Sequence, residues 1–459
     1  MDVGSAAPDR TSAAFVLALS QIFSLLAVYA GGTRGRNDAV GPARSRILSL
    51  LGPGLITGAS DDDPSGIATY SQVGAQFGFS ISWTMLFSYP LMAAIQEISG
   101  RIGRTTGRGI AGNVRRYYPA WLLHAIVGLL FIANTINIGA DLGAMSDALS
   151  LLVGGPHLLY VVLAGGLCVV LQIFVPYKRY VSVLKWLTLS LFAYFGTVMV
   201  VHIPWGEMAR GLFIPTLPAT TTFWTSVVAI LGTTISPYLF FWQASQEVEE
   251  VEATPLRDPL KYAPHQAESA LKRIRLDTYI GMAFSNLVAI AIIVTTAATL
   301  HVRGITNVQT SSEAAEALRP VAGRFAFGVF TLGILGTGLL AVPVLAGSAA
   351  YAIGEARKWP TGLARQPLQA KAFYATLAIA TLVGVALNFT PFNPIRALFW
   401  SAVINGVVAV PVMVLMMLLT ANTKVMGQFT VTGVLRFTGW LATAVMAAAV
   451  AGMLITAAM

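Results

Sequence analysis

About eleven apolar runs, each long enough to cross a bilayer as a helix, leave this chain few folds to choose from. They lie at roughly 48–75, 81–98, 120–147, 157–176, 182–204, 222–246, 278–300, 325–353, 372–389, 395–420 and 437–457. Inside lipid the backbone must satisfy its own hydrogen bonds, so runs of this length are helices. Of 459 residues, 56% are hydrophobic and 11% charged, where a soluble domain carries about 25% charged residues. The expected fold class is therefore an all-α membrane protein. Its loops are too short for a soluble catalytic domain, and no Walker loop, HExxH or serine-nucleophile motif occurs, so an enzyme is not expected. Cys168, the single cysteine, excludes an intrachain disulfide and a cysteine-based zinc site.

The net charge of +9 does not point to nucleic acid, because the basic residues fall in short connections between apolar runs. Arg101, Arg104, Arg108, Arg115 and Arg116 separate the second and third runs. Lys178, Arg179 and Lys185 surround the step from the fourth to the fifth, and Lys272, Arg273 and Arg275 precede the seventh. Arg357, Lys358, Arg365 and Lys371 separate the eighth and ninth. With all of these in the cytoplasm, the first run starts inside and the orientation is self-consistent. Arg303, Arg319 and Arg324 fall outside as exceptions, partly offset by Glu313 and Glu316. The expected location is a bacterial-type inner (plasma) membrane, with the lipid bilayer as partner and the monomer as functional unit. A further apolar stretch at 12–31 reads as a peripheral extra helix, a signal-like segment or an upstream start artefact.

Two runs carry helix-breaking polar sequence at their centres. Residues 52–66 read GPGLITGASDDDPSG, with Asp61, Asp62 and Asp63 followed by Pro64, Ser65 and Gly66. Carboxylates inside a span are costly and usually functional. The bland alternative, a helix that ends early in solvent, conflicts with the apolar residues on both sides. Proline and glycine free backbone carbonyls, and carboxylates beside them offer hard oxygen ligands for a divalent cation. In the sixth run, Gly232 and Pro237 bracket Thr233, Thr234 and Ser236. Taken alone these hydroxyls are more simply explained by bonds back to their own helix. Five runs separate the two breaks, which points to an inverted repeat of five plus five helices with a substrate site between the breaks.

These residues resemble the Nramp family of divalent metal transporters. The family's GPG and Asp-Pro-Gly-Asn motifs are matched, without a gap, by 52–54 and by Asp63, Pro64, Ser65 and Gly66. PLMAAIQEISGRIGRTTGRG at 90–109 and AGSAAYAIGEARKWP at 346–360 are similar to its second and eighth helices. The resemblance implies the LeuT-type fold, alternating access, and Asp63 as central metal ligand, with the Ser60 carbonyl beside it. The departures define the expected branch. Gly66 replaces the family asparagine, and Thr233, Ser236, Pro237 and Tyr238 stand where the family has alanine and Met-Pro-His. A soft thioether is thereby exchanged for a hard hydroxyl. Asp61 and Asp62 occupy positions that are usually uncharged. The third-helix acidic positions align with Ile136 and Gly139, Tyr238 replaces the histidine, and no arginine lies within 372–389. The resemblance is closest to the Nramp-related magnesium transporters.

The expectation is divalent cation uptake, Mg²⁺ with Mn²⁺ accepted, without proton coupling and without a cofactor. The alternatives are a proton-coupled Mn²⁺ or Fe²⁺ symporter and an organic-solute carrier, the latter disfavoured because three aspartates repel a carboxylate. The candidate metal residues are Asp63, Ser60, Gly66, Thr233, Ser236, Asp62 and Asp61, followed by Thr234, Asn405 and Tyr238. Asp141, Asn134 and Asn137 read as interhelical hydrogen-bonding groups. Glu97 reads as the i,i+4 partner of Arg101, with a gate contact as the other option. Gln243, Gln246 and Glu247 would line an inward exit. The acidic run through Glu249, Glu250 and Glu252 is either a cation-attracting mouth or a solvated helix end. Trp224 and Trp242 suit packing or interface roles. The expected organisation is an N-terminal segment (1–47), two repeats (48–204 and 222–420) and a C-terminal extra helix (421–459).

Overall fold

A computed structural model of the chain describes residues 57–58, 60–175, 187–391 and 393–459. The 12–31 stretch, the GPG at 52–54 and the basic residues Lys178, Arg179 and Lys185 lie outside them. The principal helices are α1 (Pro64–Phe77), α2 (Trp83–Thr106), α3 (Ile110–Tyr117), α4 (Ala120–Val153) and α5 (His157–Phe174). They continue as α6 (Phe192–Val200), α7 (Trp205–Phe213), α8 (Thr221–Thr234), α9 (Pro237–Ala253) and α10 (Ala267–Thr299). The last are α11 (Ala326–Arg357), α12 (Lys371–Leu387), α13 (Pro394–Ala421) and α14 (Gly433–Ala458). Among the described residues seven helical stretches are long and apolar enough to cross a membrane. The other expected runs correspond to Pro64–Ile81, Trp83–Thr106, and the shorter Leu189–Val200 and Lys371–Leu387.

The helix ends sort into two faces, and this agrees with the charge map. At one face the Arg104 guanidinium donates to the Asp258 carbonyl at 2.6 Å, and Glu355 accepts from the Gly109 and Gly112 amides at 2.9 and 2.8 Å. Lys261 reaches the Lys424 carbonyl there at 2.7 Å. This is the arginine-rich face, which the charge map assigns to the cytoplasm. At the other face Ser311 bonds Asp147, His301 bonds the Ala75 carbonyl and Asn393 bonds the Gln309 carbonyl. Arg319, one of the basic exceptions there, pairs with Glu316 at 3.1 Å.

Small residues set how closely the broken helices approach their neighbours, since lipid supplies no hydrophobic drive between spans. At Gly232 in α8 an added Cβ would lie 2.0 Å from the Ala402 carbonyl oxygen and 2.6 Å from the Gly406 nitrogen of α13. At Gly58 it would lie 2.4 Å from the backbone of Gly281 in α10. Both contacts are backbone on backbone, immediately before a break. They press the two interrupted spans into the centre of the bundle. α14 packs outside this centre on α2, α8 and α13.

Candidate functional site

Both interrupted spans restart in the same way. Residues 60 and 61 are helical, Asp62 and Asp63 are not, and α1 begins with Pro64 at its first turn. α8 stops at Thr234, Ile235 and Ser236 leave helical geometry, and α9 begins with Pro237. Proline suits this position because it lacks the amide that would go unbonded there. Asp63 is the N-cap of α1: its Oδ1 accepts from the Gly66 amide at 2.8 Å and from the Ser65 hydroxyl at 2.5 Å. The other oxygen, Oδ2, accepts from Asn137 Nδ2 of α4 at 3.1 Å and lies 3.4 Å from the Tyr238 hydroxyl of α9. Tyr238 is equally far from the Ser60 carbonyl. At 3.4 Å these are long contacts for a hydroxyl donor, so the phenol is a loose neighbour of both oxygens.

Asp63 is thus the meeting point of α1, α4 and α9, and it is 2% exposed. Asn137 extends the arrangement to the second repeat, because its Oδ1 accepts from Ser401 of α13 at 2.7 Å. Tyr70 of α1 lies 3.0 Å from the Thr233 hydroxyl of α8. An added Cβ at Gly66 would lie 3.3 Å from Tyr70, 3.5 Å from the Asp61 carbonyl oxygen and 3.6 Å from Asp63 Oδ1. Glycine leaves those two oxygens uncovered. Among the described residues no Lys, Arg or His forms an ion pair with Asp61, Asp62, Asp63 or Asp141.

The other sequence candidates have different surroundings. Ser236 turns back and donates to the Gly232 and Thr233 carbonyls, both at 2.7 Å, and Thr234 bonds back to Ile230 at 3.0 Å. Asn405 is buried in α13, but Ser401, one turn earlier, is the residue that reaches Asn137. Asp61 and Asp62 face away from Asp63's partners, onto Ser285 of α10. Asn134 bonds the Leu345 carbonyl and Ser348 of α11, the expected interhelical role. Asn137 has that interhelical role too, linking α4 to Asp63 and to Ser401 of α13. Asp141, one turn further on, is fully buried, and among the described residues neither of its carboxylate oxygens accepts a hydrogen bond, unlike the interhelical role expected of it. Asn137, Ser401, Ser65, Tyr70 and Ser285 were not among the sequence candidates for the site. The only sequence signal for Ser285 was the polar Ser-Asn pair, 285–286, inside an apolar run.

Polar side chains gather at both ends of the bundle. On the outer side a cavity of about 440 Å³ is lined by Gln72, Gln76, Thr225, Ser226, Asn307 and Arg396, among others, with Ala68 near the α1 break. On the cytoplasmic side Gln96 Nε2 donates to Gln243 Oε1 at 2.6 Å and to the Leu239 carbonyl at 2.9 Å. Gln243 in turn donates to Thr278 at 2.8 Å, and Gln246 to Tyr351 at 3.2 Å. Among the described residues these side chains bond one another on the side where they were expected to line an inward exit. The acidic run is neither a free mouth nor a solvated end. Glu247 pairs with Arg273, Glu250 with Arg257 and Arg273, and Glu252 with Arg365. Glu249 binds Tyr351 and the Leu363 amide. Glu97 pairs with Arg101 as expected, at 2.9 Å, and also lies 3.7 Å from Arg275 of α10. Trp242 is fully buried and stacks edge-on against Tyr351, a packing role.

A family model described as "Natural resistance-associated macrophage protein-like" matches residues 54–456. The chain belongs to the Nramp family. Among its Nramp relatives, the divalent metal cation transporter MntH of Klebsiella pneumoniae (strain 342) is 25% identical over 425 residues, 90% of this chain and 95% of the relative. A manganese transporter of Eremococcus coleocola superposes with a TM-score of 0.67 at 18% identity, covering 89% of this chain and 87% of the other. MhsT, solved with L-phenylalanine, superposes at 0.55 and 14% identity over 92% of this chain and 99% of its own. At these identities the superpositions speak to fold alone. They place this Nramp chain among LeuT-type inverted repeats with helices one and six broken, as expected from its sequence. The matched relatives are transporters, not enzymes.

Proposed function

We propose that the protein moves divalent metal cations into the cytoplasm by alternating access, with Mg²⁺ as preferred cargo, Mn²⁺ also accepted, and no coupled proton. The observation that carries this reading is the makeup of the Asp63 site. Its neighbours are a carbonyl, hydroxyls, an amide and a phenol, and none of the groups bonded to Asp63 is a thioether or imidazole. Oxygen ligands suit a hard ion, and Mg²⁺ keeps several of its waters. Among the described residues no three His, Cys, Asp or Glu side chains converge as a metal cluster. An ion at Asp63 is therefore held by one carboxylate, the Ser60 and Thr233 carbonyls at the ends of the half-helices, and water. Ser236 bonds back to the Gly232 and Thr233 carbonyls and so fixes the end of that half-helix.

Family membership and the named relatives support divalent cation transport. The open outer cavity and the closed Gln96–Gln243–Thr278 layer support alternating access. Asp141, buried with both oxygens unbonded, favours the second reading, a proton-coupled Mn²⁺ or Fe²⁺ symporter, because it offers one carboxyl to carry a proton. Uptake into proteoliposomes separates the two. Mg²⁺ influx without internal acidification supports the first reading, whereas strict Mn²⁺ selectivity with coupled acidification sinks it. Ser236→Met should raise the preference for Mn²⁺ and Cd²⁺ over Mg²⁺ in the same assay.

A further inference from the structure

Asn137, buried in α4, has a partner at each end of its amide. Its Nδ2 donates to Asp63 Oδ2 at 3.1 Å, and its Oδ1 meets the Ser401 hydroxyl of α13 at 2.7 Å. Ser401 Oγ lies equally close, at 2.7 Å, to the Leu398 carbonyl of its own helix. A hydroxyl has one proton and two lone pairs. With two acceptors in reach, the Ser401 proton can point to Asn137 or to Leu398. When it points to Leu398, the hydroxyl oxygen can accept from Asn137 instead of donating to it. An asparagine amide keeps nearly the same shape when its oxygen and nitrogen change places. Both orientations of the Asn137 amide are therefore satisfied on the α13 side.

On the Asp63 side the two orientations differ. In the one described here an N–H meets an oxygen of the carboxylate. In the other, a carbonyl oxygen takes the position of Nδ2, 3.1 Å from Asp63 Oδ2. Two acceptors at that distance repel each other unless a cation lies between them. An octahedral ion with metal–oxygen bonds of about 2.1 Å sets neighbouring ligand oxygens about 3.0 Å apart. The spacing of Asn137 from Asp63 Oδ2 thus matches one edge of the ligand shell of a small divalent ion. Bonds of about 2.4 Å, as Ca²⁺ makes, would ask for about 3.4 Å in the same geometry.

We propose that Asn137 is a direct ligand of the transported cation: its amide turns over, Oδ1 joins Asp63 Oδ2 on the ion, and Nδ2 donates to Ser401. This rests on the reading of Asp63 as the cargo site. Gly66 brings no side-chain oxygen to that site, and Ser236 turns its hydroxyl back onto its own helix. Asn137 brings a neutral oxygen from α4. Its nitrogen faces the carboxylate when the ion is absent and its oxygen when the ion is present. Ion binding is thereby tied to α4 and α13 as well as to the two broken spans.

Metal binding by the full-length purified protein tests this. In calorimetric titrations with Mn²⁺ and with Mg²⁺, Asn137→Ala should bind about tenfold more weakly than the wild type. An amide that only holds the empty carboxylate competes with the ion, so its removal would leave binding unchanged or tighter, and either result overturns the proposal. Asn137→Cys places a soft sulfur at the same point. It should shift the preference towards Cd²⁺ and produce the near-ultraviolet absorption of a Cd–thiolate bond, which a residue that merely positions Asp63 does not give. Absence of that absorption overturns the proposal. In the wild type soaked with Mn²⁺ and located by anomalous scattering, the ion should lie about 2.1 Å from Asn137 Oδ1. An ion more than about 3 Å away overturns the proposal, whether or not the variants fold. Asp63→Asn should lose the ion. Continued binding by that variant refutes the reading of Asp63 itself, whereas loss there with wild-type affinity in Asn137→Ala refutes only the part played by Asn137.

Discussion

Replacing Asp63 by asparagine removes a charge while almost keeping a shape. Asparagine is as good an N-cap as aspartate, so the start of α1 at Pro64 should survive. Its side-chain oxygen can still accept from the Gly66 amide and the Ser65 hydroxyl, as Asp63 Oδ1 does now. The new amide nitrogen then takes the place of Oδ2 and faces Asn137 Nδ2, where a 3.1 Å hydrogen bond is lost. That loss costs about 1 kcal/mol. The electrostatic loss is larger. A carboxylate and a divalent ion about 4 Å apart, with water between them, attract by about 8 kcal/mol at an effective dielectric of about 20. Desolvation of the ion and the carboxylate offsets about half of this. About 4 kcal/mol of binding should disappear, which is about a thousandfold in Kd. Asp63→Asn in proteoliposomes, with a metal-sensitive dye inside, should therefore show no uptake of Mg²⁺ or Mn²⁺ at concentrations that saturate the wild type. Its melting temperature in detergent should stay within a few degrees of the wild type, about what 1 kcal/mol shifts in a protein of this size. Uptake within a factor of ten of the wild type, from a protein that melts normally, would refute the placement of the ion at Asp63.

Two further outcomes follow from the bundle's asymmetry and its close crossings. Cys168 is buried, so a single introduced cysteine reports accessibility cleanly. In sealed, oriented vesicles without metal, Thr225→Cys should react with a membrane-impermeant thiol reagent from the outer side, and Gln243→Cys should not react from the inner side. The reverse pattern would contradict a closed cytoplasmic layer. Gly232→Val should drive side-chain atoms into the Ala402 carbonyl and Gly406 backbone and lower stability by about 1–3 kcal/mol or more, seen as a lower melting temperature. An unchanged melting temperature would mean that α8 and α13 do not cross as closely as described.

The helices and both interruptions were legible in the sequence because they depend on local chemistry. Runs of apolar residues must be helical in lipid, and a proline after a polar residue within such a run suits the first turn of a new helix. Asp63 stood out because Asp63, Pro64, Ser65 and Gly66 resemble the family's Asp-Pro-Gly-Asn motif; that it caps α1 is a finding of the structure. The direction of each side chain was not local. The run of three aspartates carries no direction for its side chains, and only the structure shows Asp63 against Asn137 and Tyr238 and Asp61 and Asp62 against Ser285. Asn137 looked like any interhelical amide, and Ser285 like any buried hydroxyl, until packing brought α4 and α10 to opposite sides of α1. The acidic stretch from Glu247 to Glu252 read equally as a cation-attracting mouth or a solvated helix end, because its partners Arg273, Arg257 and Arg365 lie on other segments.

The sequence by itself determined that this chain spans a membrane as helices and where two of them break. Only the tertiary structure decided which oxygens face one another. Helix formation and breaking need hydrogen bonds within a few residues. A binding site needs side chains from helices far apart in the chain to converge, and their convergence is set by glycine crossings and packing that no single segment encodes.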